Sequence, residues 1–258
     1  MKRIFHLRNN IKFFTVVALV AALTTGATAG EKPTVSGDLT FATKYVWRGL
    51  ILTDDPVLQP SATLSHKGFS LNIWANDDLT DKGASGASEI TEFDYTLDYS
   101  FNVKKFSFGL GVIQYTFPNT GSEGTTEILG TVGYDFFLSP SLTLYWDTDE
   151  AGGVYGNLSL SHRFGLGKIL GIFPSLDLSA GTGFASSNWN EFYYSVDSGG
   201  FVDLLLTIGL SIPVDDYLSL SPFISYSTLL DSDLEDAQRA VGVNDKATFY
   251  GVTISVSF

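Results

Sequence analysis

Strict two-residue alternation of apolar and polar side chains is the dominant pattern in this chain. Residues 92–101 show it most clearly, because large apolar or aromatic side chains alternate there with carboxylates and hydroxyls. A helix would spread those carboxylates around its circumference, whereas a strand places all of them on one side. The pattern therefore predicts strands with one oily face and one polar face. It returns in the final segment, FYGVTISVSF, which ends on Phe258.

The same alternation along the chain predicts twelve strands. Most of them are 9–15 residues long, which is enough to cross a bilayer at a tilt. They are residues 35–49, 57–66, 69–77, 90–101, 105–117, 124–137, 141–149, 153–164, 173–184, 200–213, 216–229 and 246–258.

The connections between these strands differ in length in a regular way. Those after the even-numbered strands are mostly tight turns, such as 66–68, 102–104 and 138–140, whereas 78–89, 185–199 and 230–245 are long and polar. Short periplasmic turns alternating with longer extracellular loops are typical of outer-membrane barrels. The fold expected is a closed antiparallel transmembrane β-barrel of about 12 strands, with both termini on the periplasmic side.

Closure follows from the cost of an open edge, because unpaired backbone groups are not tolerated in hydrocarbon. The last strand should therefore pair with the first. A soluble β-sandwich is the main alternative, since its strands also alternate. Its outward face would be polar, however, and twelve strands this rich in Phe, Tyr and Leu would overfill its core. The barrel is the better interpretation.

The N-terminal residues are typical of a secretory signal peptide. A basic segment precedes an apolar run at 13–23, and Ala27-Thr28-Ala29 fits a small-residue cleavage site. This predicts a signal peptide over 1–29 and an outer-membrane barrel over 30–258, located in the outer membrane of a Gram-negative bacterium. The predicted peptide carries four basic residues and no acidic one, so its removal takes the net charge from −13 to −17.

That acidic balance excludes nucleic acid as a partner, because binding there depends on neutralising phosphates with Lys and Arg. The chain has no cysteine, which rules out disulfides and thiolate metal sites. The expected partners are outer-membrane lipid and lipopolysaccharide, small solutes, and the barrel-assembly machinery. An apolar strand ending in an aromatic resembles the C-terminal assembly signal of bacterial outer-membrane proteins, and Phe258 is that residue here.

The polar faces of the strands should line the lumen. Carboxylates there would favour cations or neutral polar solutes over anions. Lys44 and Arg48, four residues apart on the first strand, should point inward, and Arg48 is expected to form part of a constriction with Asp54, Asp55 or Asp77. The alternative is that these pairs only fill the interior. The main lumen and constriction candidates are Lys44, Arg48, Asn72, Trp74, Asn76, Glu92, Asp94 and Asp98, followed by Tyr155, Asn157, Asp177 and Asp203.

Aromatic residues near strand ends suit an interfacial girdle, and those in the 185–199 loop suit either a ligand grip or a cover over the barrel mouth. The proposed girdle residues are Tyr45, Trp47, Phe137, Trp146 and Tyr217, and the loop residues are Trp189, Tyr193 and Tyr194.

The sequence favours no catalytic, cofactor or metal site. After the signal peptide only His66 and His162 remain, and His162 and its neighbour Ser161 would point to opposite faces of a strand. A Ser-His nucleophile therefore has no basis here. The acidic segment 231–236 lacks the glycine and terminal glutamate of a calcium loop.

Residues 35–77 resemble the opening of the porins of the TorF family. That opening combines a serine-glycine strand, an aromatic residue with an Arg-Gly pair, a proline and a glutamine, a glycine turn and a tryptophan. The leucine-isoleucine-leucine run at 50–52 departs from it. The matching residues are Ser36, Gly37, Tyr45, Arg48, Gly49, Pro56, Gln59, Gly68 and Trp74.

The resemblance implies an outer-membrane barrel with channel function and an unestablished solute. Together with the lumen pattern, it predicts a porin-like channel for passive diffusion of small polar or cationic solutes. Two alternatives stay open. One is a barrel without transport activity that interacts through its acidic outer loops, and the less favoured one is an outer-membrane hydrolase.

Overall fold

The computed structural model describes residues 32–80 and 89–258, so the predicted signal peptide lies outside the described residues. Twelve antiparallel strands close into one barrel, which confirms the predicted fold. The wall strands are β1 (Thr34–Ala42), β4 (Val57–His66), β5 (Phe69–Asp78), β6 (Glu89–Val103), β7 (Phe106–Thr116), β8 (Thr126–Tyr134), β9 (Ser141–Asp147), β10 (Val154–Gly165), β11 (Ser175–Ala185), β12 (Gly200–Pro213), β13 (Leu218–Leu229) and β14 (Lys246–Ser257).

Closure occurs between the first and last strands, as the alternation predicts. β1 pairs with β14 in antiparallel register from Ser36 opposite Ser257 to Ala42 opposite Gly251. The backbone N–H of Phe258 also donates to the carbonyl of Val35 over 2.9 Å. The C-terminal segment is therefore held along its whole length, and the barrel has no free edge at this seam.

Side-chain exposure follows the two-residue period around the wall. On β5 the outward residues Leu71 and Ile73 are 42% and 43% exposed, whereas Asn76 on the inward face is fully buried. The outward face is apolar, as on Ile208 and Ile254, which are 53% and 43% exposed. An exposed apolar belt of this kind suits a wall surrounded by lipid hydrocarbon.

The prediction of a first strand over 35–49 is wrong after Ala42. The wall strand ends at Ala42, and residues 45–53 leave the wall as a separate hairpin of β2 (Tyr45–Trp47) and β3 (Leu50–Thr53). Its central residues, Arg48 and Gly49, have φ of 49° and 85°, the positive values that a type I′ hairpin turn needs. The alternating pattern continues into this hairpin, and for that reason the sequence predicts one long strand over 35–49.

Two helices lie in the long polar loops predicted at 185–199 and 230–245. They are α1 (Ser187–Tyr194), between β11 and β12, and α2 (Ser232–Ala240), between β13 and β14. No helix in the described part of the chain has the length and hydrophobicity of a membrane span.

The two ends of the barrel are different. We call the end that carries the hairpin, α1 and α2 the loop end, and the end with the turns after β4, β6, β8, β10 and β12 the turn end. The first residue of β1, Thr34, and the last residue of β14, Ser257, both lie at the turn end. The expected division into short turns and longer loops is confirmed.

Candidate functional site

A buried ion pair joins the hairpin to the barrel wall. The Arg48 guanidinium donates to both Glu127 carboxylate oxygens, over 2.6 and 2.7 Å. The Tyr115 hydroxyl donates to the same carboxylate over 2.8 Å. The Glu127 side chain is fully buried and that of Arg48 is 8% exposed. Two-pronged Arg–carboxylate pairs of this kind are among the strongest and most directional polar contacts in proteins.

Aromatic rings surround the same guanidinium. Its central carbon lies 4.3 Å from the Trp47 ring centroid, 4.2 Å from that of Tyr145 and 4.5 Å from that of Tyr155. Burial lowers the pKa of Arg48, but the neighbouring Tyr115, Glu127 and Tyr145 together more than offset this, so the pKa lies above its ordinary value. Arg48 is therefore a permanent charge fixed inside the barrel.

The hairpin tip is also fixed by close packing. A Cβ added to Gly49 would lie 2.7 Å from Leu229 and 2.9 Å from the Asp203 side chain, so only glycine fits here. The Tyr194 hydroxyl donates to the Arg48 carbonyl over 3.0 Å, which links the tip to α1. On the wall side, Tyr155 donates to Asp203 over 2.8 Å.

A packed apolar core fills part of the lumen at the loop end. It joins the hairpin, both helices, the loop after β9 and the loop-end parts of β10, β11, β12 and β13. We call the hairpin with α1 and α2 the plug. Trp189 of α1 and Leu234 of α2 are fully buried in it. The aromatic residues of the 185–199 loop were expected either to grip a ligand or to cover the barrel mouth. Trp189 and Tyr194 pack into this core, which agrees with a cover. The core residues are Leu50, Ala151, Tyr155, Ala185, Trp189, Tyr194, Val202, Leu229 and Leu234.

The predicted lumen residues on β5 and β6 lie together on one inward stripe. The register places Asn76 opposite Glu92 and Trp74 opposite Asp94. Asn76 accepts from Gln59 and donates to Thr91, both over 2.9 Å. Glu92 is 5% exposed and accepts from the Tyr45 hydroxyl of the hairpin.

Nearer the turn end, this stripe is more open. Asn72 donates to Thr63 over 2.7 Å, and Asp98 hydrogen-bonds Ser70. The remaining predicted residue, Lys44, lies just before the hairpin and pairs with Asp54. The structure thus brings six of the eight main candidates together on the stripe and leaves Lys44 and Arg48 to the hairpin.

The expected constriction at Arg48 has a different partner. Asp54, Asp55 and Asp77 were the candidates, but the guanidinium binds Glu127 of β8. The reason is that the chain turns inward after Ala42 and carries Arg48 across the lumen. For the same reason, the prediction that Tyr45 and Trp47 belong to the interfacial girdle is wrong, because both side chains pack inside the barrel. Phe137, Trp146 and Tyr217 are 60%, 53% and 60% exposed.

Sequence reasoning missed Glu127 and α2, although signals for both exist. Ile128, Val132 and Tyr134 alternate outward on β8, which places Glu127 inward, but Leu129 interrupts the polar face. Helix α2 has a recognisable start, because Asp231 precedes it and accepts from the backbone N–H groups of Asp233 and Leu234. Acidic residues follow in its first turn and Arg239 stands in its last turn, as helix termini favour.

The two histidines that could serve a hydrolase lie apart from this site. His162 faces outward on β10 and contacts the rings of Phe137 and Phe164. His66 ends β4 at the turn end.

Comparison with known proteins gives a family. A family model described as a bacterial protein of unknown function, Gcw_chp, matches residues 26–166, which is more than half of the chain. The chain belongs to this family. The matched residues include the TorF-like stretch, β2–β3 and Glu127, although the model does not carry the TorF name, so that resemblance stays a prediction. No curated protein matches the sequence.

A solved structure supports the fold. The COG4313 outer membrane channel from Pseudomonas putida F1 is 10% identical, with 91% of this chain and 98% of that chain covered and a TM-score of 0.52. A NanC porin is 9% identical, with 85% and 98% covered and a TM-score of 0.49. At 10% identity the likeness to the COG4313 channel concerns the fold alone, and the likeness to the NanC porin carries no argument.

Proposed function

We propose that the protein is a channel of the bacterial outer membrane, through which small polar or cationic solutes pass by diffusion. The observation that supports this most is the combination of a closed barrel, an exposed apolar outer face and carboxylates on the inner stripe. Such a wall separates hydrocarbon outside from a polar lumen inside. The family model describes a bacterial protein, and one similar barrel is named an outer membrane channel, which agrees with this proposal.

The charge of the lumen gives the proposed selectivity. Glu92, Asp94 and Asp98 face inward on one strand, while the two basic residues predicted for the lumen, Lys44 and Arg48, are paired with Asp54 and Glu127. Carboxylate-lined pores attract cations and repel anions. The plug narrows the loop end, so we expect a conductance well below that of a wide porin.

Recordings in planar lipid bilayers test this proposal. Purified protein should produce discrete conductance steps, and a KCl gradient should give a reversal potential of the sign that marks cation preference. Asp98→Asn should weaken that preference, because it removes a charge from the inner stripe. Asp216→Asn, in the exposed turn after β12, is the matched control and should leave it unchanged. Anion preference in the wild type would contradict the proposed selectivity.

A second candidate is a barrel without transport activity that acts at the cell surface. The packed plug favours it, because fully buried side chains such as Trp189 and Leu234 leave no water at their positions. In that case folded protein would insert into bilayers without conductance steps. Resistance to SDS at room temperature, lost on boiling, would show that the barrel is folded in either case.

Lipid, lipopolysaccharide and the barrel-assembly machinery are the proposed partners of the wall. Phe258 is 71% exposed on the outside and stacks on Tyr217 with ring centroids 5.7 Å apart. It is therefore accessible at the end of the last strand, as an assembly signal needs to be. Phe258→Ala should reduce the amount of folded barrel in the outer membrane, measured by heat-dependent migration in SDS gels.

A further inference from the structure

A cavity of about 620 Å³ lies at the loop end beside the plug. It is bounded by the hairpin, by α1, by the loop-end parts of β5, β6 and β7, and by the loops that follow β7 and β9. Its volume falls in the range of small-molecule sites. Six aromatic side chains line it: Tyr45, Trp47, Tyr115, Phe117, Phe192 and Tyr193.

Carboxylates supply the charge of this cavity. Asp78, Glu92, Glu123 and Glu150 line it, and the described lining residues include neither Lys nor Arg. Arg48, next to Trp47 in the chain, is neutralised by Glu127. Partial burial raises the pKa of Glu150, and the nearby charges of Asp147 and other acidic groups raise it further, which reports a negative potential at this wall.

Aromatic faces and carboxylates together select one class of ligand. The face of an aromatic ring carries negative charge density and attracts cations, while its surface also favours apolar groups. A bare metal ion would instead need several convergent oxygen ligands, and the described residues contain no cluster of three or more His, Asp or Glu suited to one. An ammonium group with an apolar body satisfies both parts of the wall.

We infer that this cavity binds small organic ammonium cations, with aromatic faces around the ammonium group and Glu150 as its counter-charge. The cavity lies at the barrel mouth, where solute would enter the channel. The conclusion that organic ammonium cations are solutes of the channel therefore rests on the proposed function. Binding itself does not depend on conduction.

Choline and its uncharged carbon isostere, 3,3-dimethylbutan-1-ol, are the probes. Both are titrated against folded full-length protein in an uncharged maltoside detergent, and binding is followed by ligand-observed saturation-transfer NMR. Choline should bind at least fivefold more tightly than the isostere, a ratio that corresponds to about 1 kcal/mol of cation–π attraction. Equal affinity of the two, or no binding of choline, would overturn the inference.

Variants on helix α1 and its neighbouring loop locate the site. Phe192→Leu keeps an apolar side chain but removes a ring, and Glu150→Gln removes a charge, so each should weaken choline binding several-fold. Glu191→Gln is the matched control, because Glu191 is exposed on the same helix and is not among the lining residues. An equal loss in Glu150→Gln and Glu191→Gln would reveal a diffuse charge effect and contradict a built site.

The same preparations separate this inference from the proposed channel. Choline binding by a barrel that gives no conductance steps would support the proposed binding site and contradict the proposed channel function. Conductance without choline binding would support the channel and overturn the site.

Discussion

The two ends of the barrel are built from the same strands but filled in opposite ways. At the loop end, Trp189, Leu229 and Leu234 belong to a packed apolar core beside the buried Arg48–Glu127 pair. At the turn end, a cavity of about 780 Å³ opens toward solvent. Its lining includes Arg163 and five serines, which are Ser175, Ser211, Ser219, Ser221 and Ser255.

The difference comes from the connections and not from the wall. Alternation sets the wall at both ends, and small polar side chains join neighbouring strands on the inner face, as in the 2.8 Å contact of Thr40 with Thr253. Only the loop-end connections are long enough to fold back into the lumen. The wall therefore serves as a frame, and the plug is a small domain core built inside it.

Among the tests of this difference between the two ends, breaking the buried ion pair should cause the largest loss in the free energy of unfolding. Glu127→Ala leaves the Arg48 guanidinium buried without its counter-charge, which typically costs about 3–5 kcal/mol. Arg163→Ala at the turn end is the contrast, because its pair with Asp177 is exposed and should contribute less than about 1 kcal/mol. Urea unfolding in micelles measures both.

The double variant Arg48→Met with Glu127→Leu is the control for this prediction. It replaces the pair by apolar groups and should recover much of the loss of Glu127→Ala. Equal destabilisation by Glu127→Ala and Arg163→Ala would contradict the difference between the two ends.

Truncation inside the plug should have the next largest effect. Leu234 on α2 is fully buried, so Leu234→Ala should lower the free energy of unfolding by about 2–5 kcal/mol through lost contacts and a new cavity. Val241→Ala, at a residue 72% exposed just after the same helix, should change it very little. The proteolysis rate of the 230–245 loop gives a second readout, and similar rates in the two variants would argue against a packed plug.

A glycine substitution gives a smaller and more local test. A Cβ added to Gly183 would lie 2.1 Å from the Asp203 carboxylate and 2.2 Å from the Tyr155 hydroxyl, beside the plug. Gly183→Ala should therefore destabilise the barrel by about 1–3 kcal/mol. At the turn end, Gly165 has no atom within 4 Å of such a Cβ, and Gly165→Ala should be close to neutral. If the two variants have equal melting temperatures, the packing around Asp203 is looser than described.

The sequence predicts the wall well because each strand carries its own evidence. Eleven of the wall strands match the predicted segments to within a few residues, and closure follows from the alternation of the last segment. The exception is 43–49, where alternation continues after the chain leaves the wall. A period of two identifies a strand and its two faces, but it does not say which partner that strand pairs with.

The site could be predicted only in part, for a related reason. Alternation places Asn76, Glu92 and Asp94 on the inner face, and the structure agrees. The partner of Arg48 depends on where the hairpin folds, a contact 79 residues away in the chain that no local pattern encodes. The helix start at Asp231 was available in the sequence but was hidden by interpreting the acidic segment as a loop.

Removal of the hairpin is the most direct test of the central claim, that an independent wall is narrowed by its folded-back connections. Residues 44–54 are replaced by a short Gly-Ser linker, and single-channel conductance is compared with that of the wild type. The variant should still show the heat-dependent gel shift of a folded barrel, with a conductance several-fold higher. A folded variant whose conductance equals that of the wild type, or a variant that no longer forms a barrel, would contradict the claim.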